Sequence, residues 1–271
     1  MVHDKKEEKK QSIKIYPIKP YDDECKVCRE VNPILPYPNG FVGILIGRIA
    51  SGKSSLLTNL IARKELLGDL FGSIHIISNT INNDDSSRFI RNLENVNVYE
   101  KYSDELIRSI NDSKKHLEKK DMEWDLIIGD DLLGSLRSNP PCELYQFATR
   151  LRHTAFNLLL LTQKTKCISP VVRSNTSFIC VFWNNYADGE LNSIEEEWGS
   201  FCGDKGFKYY YKKFVQKNPY SFLYMNFIKG IVMLNFEKLL YSVRGGEVGE
   251  SNDVEENDDV EESGDESDES D

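Results

Sequence analysis

An α/β fold, with a mostly parallel central sheet and helices on both faces, is what this 271-residue sequence predicts. Three observations carry it. Short apolar runs recur through the middle of the chain, stretches of helical spacing separate them, and a glycine-rich turn joins the first run to the first helix. Near-continuous apolar strands alternating with helices are the pattern of a parallel sheet covered on both sides.

Residues 1–38 read as a polar N-terminal arm, lysine-rich at its start and broken by Pro17, Pro20, Pro33, Pro36 and Pro38. The predicted domain spans 39–244. Its first strand is Phe41–Gly47, followed by a helix to about Glu65. Ser73–Ser78 reads as a buried strand, 79–85 as a polar turn and Val96–Tyr99 as a short strand. Ser103–Asp121 has helical spacing at Leu106, Ile107, Ile110 and Leu117, with Ser103 as N-cap. Trp124–Asp131 is an apolar strand closed by two carboxylates. Glu143–His153 reads as a helix, Asn157–Gln163 and Ser177–Asn184 as strands, and Asp188–Trp198 as a helix capped by Asp188. Lys205–Tyr241 is aromatic and basic, with a hairpin expected over Phe222–Phe227 and Ile231–Phe236. Residues 245–271 hold Gly, Ser, Asn and acids with isolated valines. Such a segment buries too little to fold and reads as a disordered acidic tail.

That tail sets the overall charge of −10. It carries 14 acidic residues and no Lys or Arg; set aside, 34 basic residues face 30 acidic ones, so the body is about +4. A mildly basic body with an acidic tail is compatible with a polyanionic partner. No apolar run reaches membrane-spanning length. The charged start, Met1–Lys10, lacks the apolar core of a secretory signal, so the protein is expected not to be secreted. The six cysteines are accordingly read as reduced thiols. Cys25 and Cys28 form one C-x2-C, read as incidental because no second pair stands at zinc-site spacing.

The chemistry is concentrated at Gly47-Arg48-Ile49-Ala50-Ser51-Gly52-Lys53-Ser54, followed by Ser55. This is G-x4-G-K-S between strand and helix, the loop that wraps a nucleotide's phosphates with backbone N–H groups. Lys53 is expected to reach the β- and γ-phosphates, and Ser54 to hold Mg²⁺. Asp130 is the second expected metal contact, and Asp131 the group that polarises attacking water. Together these predict a Mg-dependent ATPase, a P-loop NTPase of the additional-strand type. Gln163, at the end of the next strand, is placed to sense the γ-phosphate. Of Arg150, Arg152 and Arg173, Arg152 is the first choice for a catalytic arginine supplied to a neighbouring subunit. Lysines 205, 208, 212, 213 and 217 interleave with Phe207, Tyr209, Tyr210, Tyr211 and Phe214. The pattern favours an amphipathic surface strand over direct nucleic-acid contact.

These residues, in this order, resemble the poxvirus-type DNA-packaging ATPases of nucleocytoplasmic large DNA viruses, in the FtsK–HerA superfamily. The resemblance covers about residues 40–200. It rests on Gly47–Ser54, the strand ending Asp130-Asp131, Arg152-His153, the strand ending Leu161-Thr162-Gln163, and Arg173-Ser174-Asn175-Thr176. One departure is Gly129, where a bulky apolar residue is usual. The resemblance implies an ATP-driven translocase of double-stranded DNA that fills a capsid. It further implies a homo-oligomeric ring, hexameric in the family, a capsid protein as a partner, and residence in the host cytoplasm at virus factories or in the virion. It makes Gln163 the sensor glutamine and Arg152 the arginine before the sensor strand. Two rival readings are a small nucleoside or nucleotide kinase, with the three arginines clamping the acceptor, and a nucleotide-dependent switch without motor activity.

Overall fold

The structure, a computed structural model, describes residues 32–81, 88–118, 122–132, 136, 141–184 and 186–247. Cys25, Cys28, most of the N-terminal arm and nearly all of the acidic tail lie outside the described residues.

The elements, in chain order, are β1 (Val42–Ile46), α1 (Lys53–Ala62), β2 (Ile74–Ser78), α2 (Arg88–Arg91), β3 (Val96–Tyr99), α3 (Asp104–Asp112) and β4 (Asp125–Asp130). Next come α4 (Glu143–Phe147), α5 (Leu151–Thr154), β5 (Phe156–Thr162), α6 (Pro170–Ser174), β6 (Phe178–Phe182) and α7 (Asp188–Trp198). The chain closes with α8 (Gly206–Tyr210), β7 (Phe222–Asn226), β8 (Ile231–Leu234), β9 (Lys238–Ser242) and β10 (Gly246–Glu247). The strands form one ten-stranded sheet in the order β10-β9-β8-β7-β6-β1-β5-β4-β2-β3. From β6 to β3 every pairing is parallel. From β6 outward to β10 every pairing is antiparallel. The predicted parallel sheet is thus the six-stranded half that carries the phosphate loop.

Alternation explains why the central strands are apolar throughout. Ile44, Ile46, Leu158 and Leu160 face one core, with Ile107, Leu144, Phe147, Leu191 and Phe207 from the helices. Leu45, Leu159 and Leu161 face the other, under Leu57, Leu60 and Ile61 of α1. Both faces are dry, so neither can be polar.

Several elements differ from their sequence reading. The helix expected over 143–153 is two, α4 and α5. Thr149 Oγ1 donates to Gln146 O at 2.7 Å and Thr154 Oγ1 reaches Arg150 O at 3.2 Å, hydroxyls competing for helix carbonyls at the break. The N-cap of α7 is Ala187, and Asp188 is instead a first-turn acid on the positive helix end. The expected surface strand at 205–217 is helical: α8 runs into a π-turn over Tyr211–Val215. Phe207, Tyr210, Tyr211 and Val215 are buried along one face, at helical spacing. By contrast Ser103 caps α3 as predicted, its Oγ accepting from Leu106 N at 3.1 Å. The packed structure also reaches back into the segment read as the end of the arm. Leu35 is buried, and Ile34 O accepts from Tyr224 OH at 2.9 Å.

Candidate nucleotide-binding site

β1 delivers the loop. Gly47 N donates to Thr162 O at 3.0 Å and Tyr186 OH to Ile46 O at 3.2 Å, which fixes where the strand ends. Beyond it the chain must turn tightly. A Cβ at Gly47 would fall 2.3 Å from Ser51 Oγ, and Gly52 has φ +102°. Only glycine suits both positions. Gly52 is the N-cap of α1 and no side chain caps the helix, so its first-turn N–H groups are left for a ligand.

The sheet order sets β5 beside β1 and β4 beside β5, all parallel, so the carboxylates at the end of β4 arrive at the same end of the strands as the loop. One open cleft of about 600 Å³ results. It is lined by Arg48, Ile49, Ala50, Ser51, Gly52, Lys53, Ser54 and Ser55 of the loop, and by Asp130, Asp131 and Gln163. Gly47 contributes its carbonyl, which accepts from Lys53 Nζ at 2.5 Å; Arg48 O accepts from the same ammonium at 2.9 Å. Lys53 is half-buried, and burial pushes its pKa below the ordinary lysine value while Asp130 and Asp131 oppose that shift. A cation held in this field, folded back on its own loop, is ready to exchange two carbonyls for phosphate oxygens.

Asp130 Oδ2 accepts from Ser78 Oγ at 3.0 Å, and Ser78 Oγ lies 3.3 Å from Thr80 Oγ1. Asp131 is exposed, with φ +50°, a left-handed conformation that aspartate tolerates. The Ser54 hydroxyl and the Asp130 carboxylate are hard oxygen donors, the set that suits Mg²⁺. Ser51 Oγ is buried without a hydrogen-bond partner inside the cradle, a further sign that the loop is built around a polar occupant.

Gly129 is explained by its neighbours. A Cβ there would fall 2.8 Å from Leu160 Cδ2 and 2.9 Å from Leu132 Cδ1. Leu132 folds back to fill the apolar space that a larger residue would occupy.

Arg152 is not in this cleft. It is exposed, in α5, four residues before the N-terminal end of β5, and packs against Gly40. Seven strand residues separate it from the site, roughly 20 Å. Arg150 is 3.5 Å from Glu143 and Arg173 is 3.4 Å from Glu197. Arg152 makes no ion pair among the described residues. Thr80, Thr162 and Tyr220 also line the cleft, and sequence reasoning had singled out none of them for it.

The model of the family described as "Poxvirus A32 protein" matches residues 38–197, more than half of the chain. The chain belongs to that family. No curated protein matches it. Among solved structures it is similar to the genome packaging NTPase B204 from Sulfolobus turreted icosahedral virus 2. The AMP complex is 21% identical with a TM-score of 0.53, over 73% of this chain and 98% of that one. The ATP-gammaS complex is 21% identical with a TM-score of 0.52, over the same shares. The DNA-packaging ATPase B204 from Sulfolobus turreted icosahedral virus is 18% identical with a TM-score of 0.51, again over 73% and 98%. At such identities the likeness is one of fold, and family membership rests on the matched 38–197 segment.

Proposed function

We propose that this protein is a Mg-dependent ATPase that drives double-stranded DNA into a viral capsid. The observation that carries the reading is the meeting of Lys53 and Ser54 with Asp130, Asp131 and Gln163 in one cleft. Membership of the poxvirus A32 family supplies the viral context, and the packaging enzymes that share the fold supply the precedent for DNA as cargo.

Each residue then has a role. The loop's N–H groups and Lys53 hold the triphosphate. Ser54 and Asp130 would hold Mg²⁺, which when bound neutralises charge on the β- and γ-phosphate oxygens. Asp131 orients and deprotonates the attacking water, a contribution of about 10²–10⁴-fold. Gln163 hydrogen-bonds at the γ-phosphate end and registers its loss in β5. Ser78 fixes the Asp130 carboxylate.

Arg152 serves a neighbour. Its guanidinium, exposed and without an ion pair among the described residues, lies near the far ends of the strands and has no role in its own cleft. In a head-to-tail ring it meets the next subunit's γ-phosphate. A ring, hexameric as in the resemblance, with a capsid protein as its dock and the host cytoplasm or virion as its place, completes the proposal. The division into a 1–38 arm, a 39–244 motor and a 245–271 tail belongs to it as well, with the end of the arm at Leu35 and the start of the tail at β10 packed onto the motor.

A kinase needs cations for its acceptor in the cleft. Among the described residues only Arg48 and Lys53 of that charge line it, while Arg150, Arg152 and Arg173 lie elsewhere. The experiment that decides is ATP hydrolysis with long duplex DNA, short duplex, or nucleoside acceptors. A packaging motor accelerates with long duplex and gives ADP and phosphate. A phosphorylated acceptor, or turnover indifferent to DNA, overturns the assignment.

A further inference from the structure

Among the described residues the two most exposed large apolar side chains are Ile49, 83% exposed, and Tyr220, 73%. Both line the nucleotide cleft. Ile49 stands in the phosphate loop. Tyr220 arrives from the far side of β1: it precedes β7, whose Phe222 pairs with Phe182 at the end of β6, and Trp183 N donates to Ser221 O at 2.7 Å. The carboxylates and Gln163 flank β1 on the β5 side and Tyr220 on the β6 side.

The turn that presents Tyr220 is Asn218-Pro219-Tyr220-Ser221, closed by Ser221 N to Asn218 O at 3.3 Å. Proline in the second place and φ +64° in the third follow the type II pattern, whose third place favours glycine. A tyrosine there is strained, and a bulky residue at positive φ is a genuine outlier. Local packing does not compensate. Tyr186, Tyr209, Tyr210, Tyr211 and Tyr224 each pack against another aromatic ring. Tyr220 packs against none of them and has no hydrogen-bond partner among the described residues. A strained, water-exposed ring is thus held at the rim of a cleft whose phosphate end is fixed by the loop.

We propose that Tyr220 stacks on the base of the bound nucleotide, with Ile49 adding apolar surface to the same base-binding edge. The proposal rests on the phosphate-loop reading and deepens it. Stacking uses the π-face that every base shares, so it supports affinity with little discrimination between adenine and guanine. The ring is needed and the hydroxyl is not.

The test is equilibrium binding, by calorimetry with Mg²⁺ present, of ATP and of inorganic tripolyphosphate. Tyr220→Gly removes the ring and relieves the turn, so the fold is kept. Its ATP Kd is expected to rise about ten-fold or more while tripolyphosphate binds as in the wild type. Tyr220→Phe should bind both as the wild type does. In Tyr220→Trp, ATP should quench the new indole's emission and tripolyphosphate should not. Wild-type ATP affinity in Tyr220→Gly overturns the proposal, as does equal loss of both ligands. A smaller assembled mass at unchanged ATP affinity would mark Tyr220 as a subunit contact and overturn it too. The underlying reading fails separately: tripolyphosphate would then not compete with ATP on the wild type, and Lys53→Ala would change neither.

Discussion

Lys53 is bound to two carbonyls of its own loop, and that arrangement has consequences for titration. Burial lowers its pKa, and a bound triphosphate would favour the charged form and raise it again. Nucleotide binding should therefore take up a proton once the solution pH nears the lowered value, and affinity should fall as pH rises through it, earlier than an ordinary lysine would allow. Calorimetry in two alkaline buffers of different ionisation enthalpy reads that uptake directly; zero uptake across the alkaline range would contradict the placement of Lys53. Asp131→Asn should keep ATP affinity and lose about 10²–10⁴-fold in turnover. Loss of affinity instead would make Asp131 a metal ligand. At this scale the site was largely legible, because a phosphate loop and paired strand-end carboxylates are local signals. Thr80 and Tyr220 were not: each reaches the cleft only through strand order, which no short stretch of sequence encodes.

Among the elements, the strands buried on both faces announced themselves as apolar runs. β9 is partly exposed and β10 spans two residues, so neither stands out. The helix at 206–215 was hidden by its lysines, although Phe207, Tyr210, Tyr211 and Val215 already stood at i, i+3, i+4 and i+8. The start of β4 holds a feature with a measurable cost. Lys114 Nζ lies 2.8 Å from Asp125 Oδ2, both side chains under 10% exposed, and 4.6 Å from the centre of the Phe156 ring. Asp125 Oδ1 also accepts from Ser73 N at 2.9 Å. Asp125→Ala strands a buried ammonium and should cost about 3–5 kcal/mol, read from the denaturant midpoint at unchanged slope. Gly43→Ala drives a methyl to 2.3 Å from Phe178 Cζ and should cost about 1–3 kcal/mol by overpacking.

For the whole molecule, the nucleotide cleft lies at the C-terminal ends of the central parallel strands and Arg152 near their N-terminal ends, which is why the proposal assigns Arg152 to a neighbouring copy. Mixing Arg152→Ala subunits with wild type should depress ATP hydrolysis more than in proportion to their share. A strictly proportional loss would remove the intersubunit role. No helix among the described residues is long and apolar enough to cross a membrane. The proposed ring rests on family resemblance alone, because exposed charges such as Arg152 look alike whether they face water or a neighbour.

The central claim is that Ser54 and Asp130 jointly hold the magnesium of a nucleotide seated on the Lys53 loop. It is tested most directly by titrating a fluorescent, non-hydrolysable ATP analogue into wild type, Ser54→Ala and Asp130→Asn, with Mg²⁺ and with EDTA. The structure predicts saturable binding that EDTA weakens at least ten-fold in the wild type and hardly changes in either variant. Equal Mg²⁺ dependence in all three proteins would contradict it.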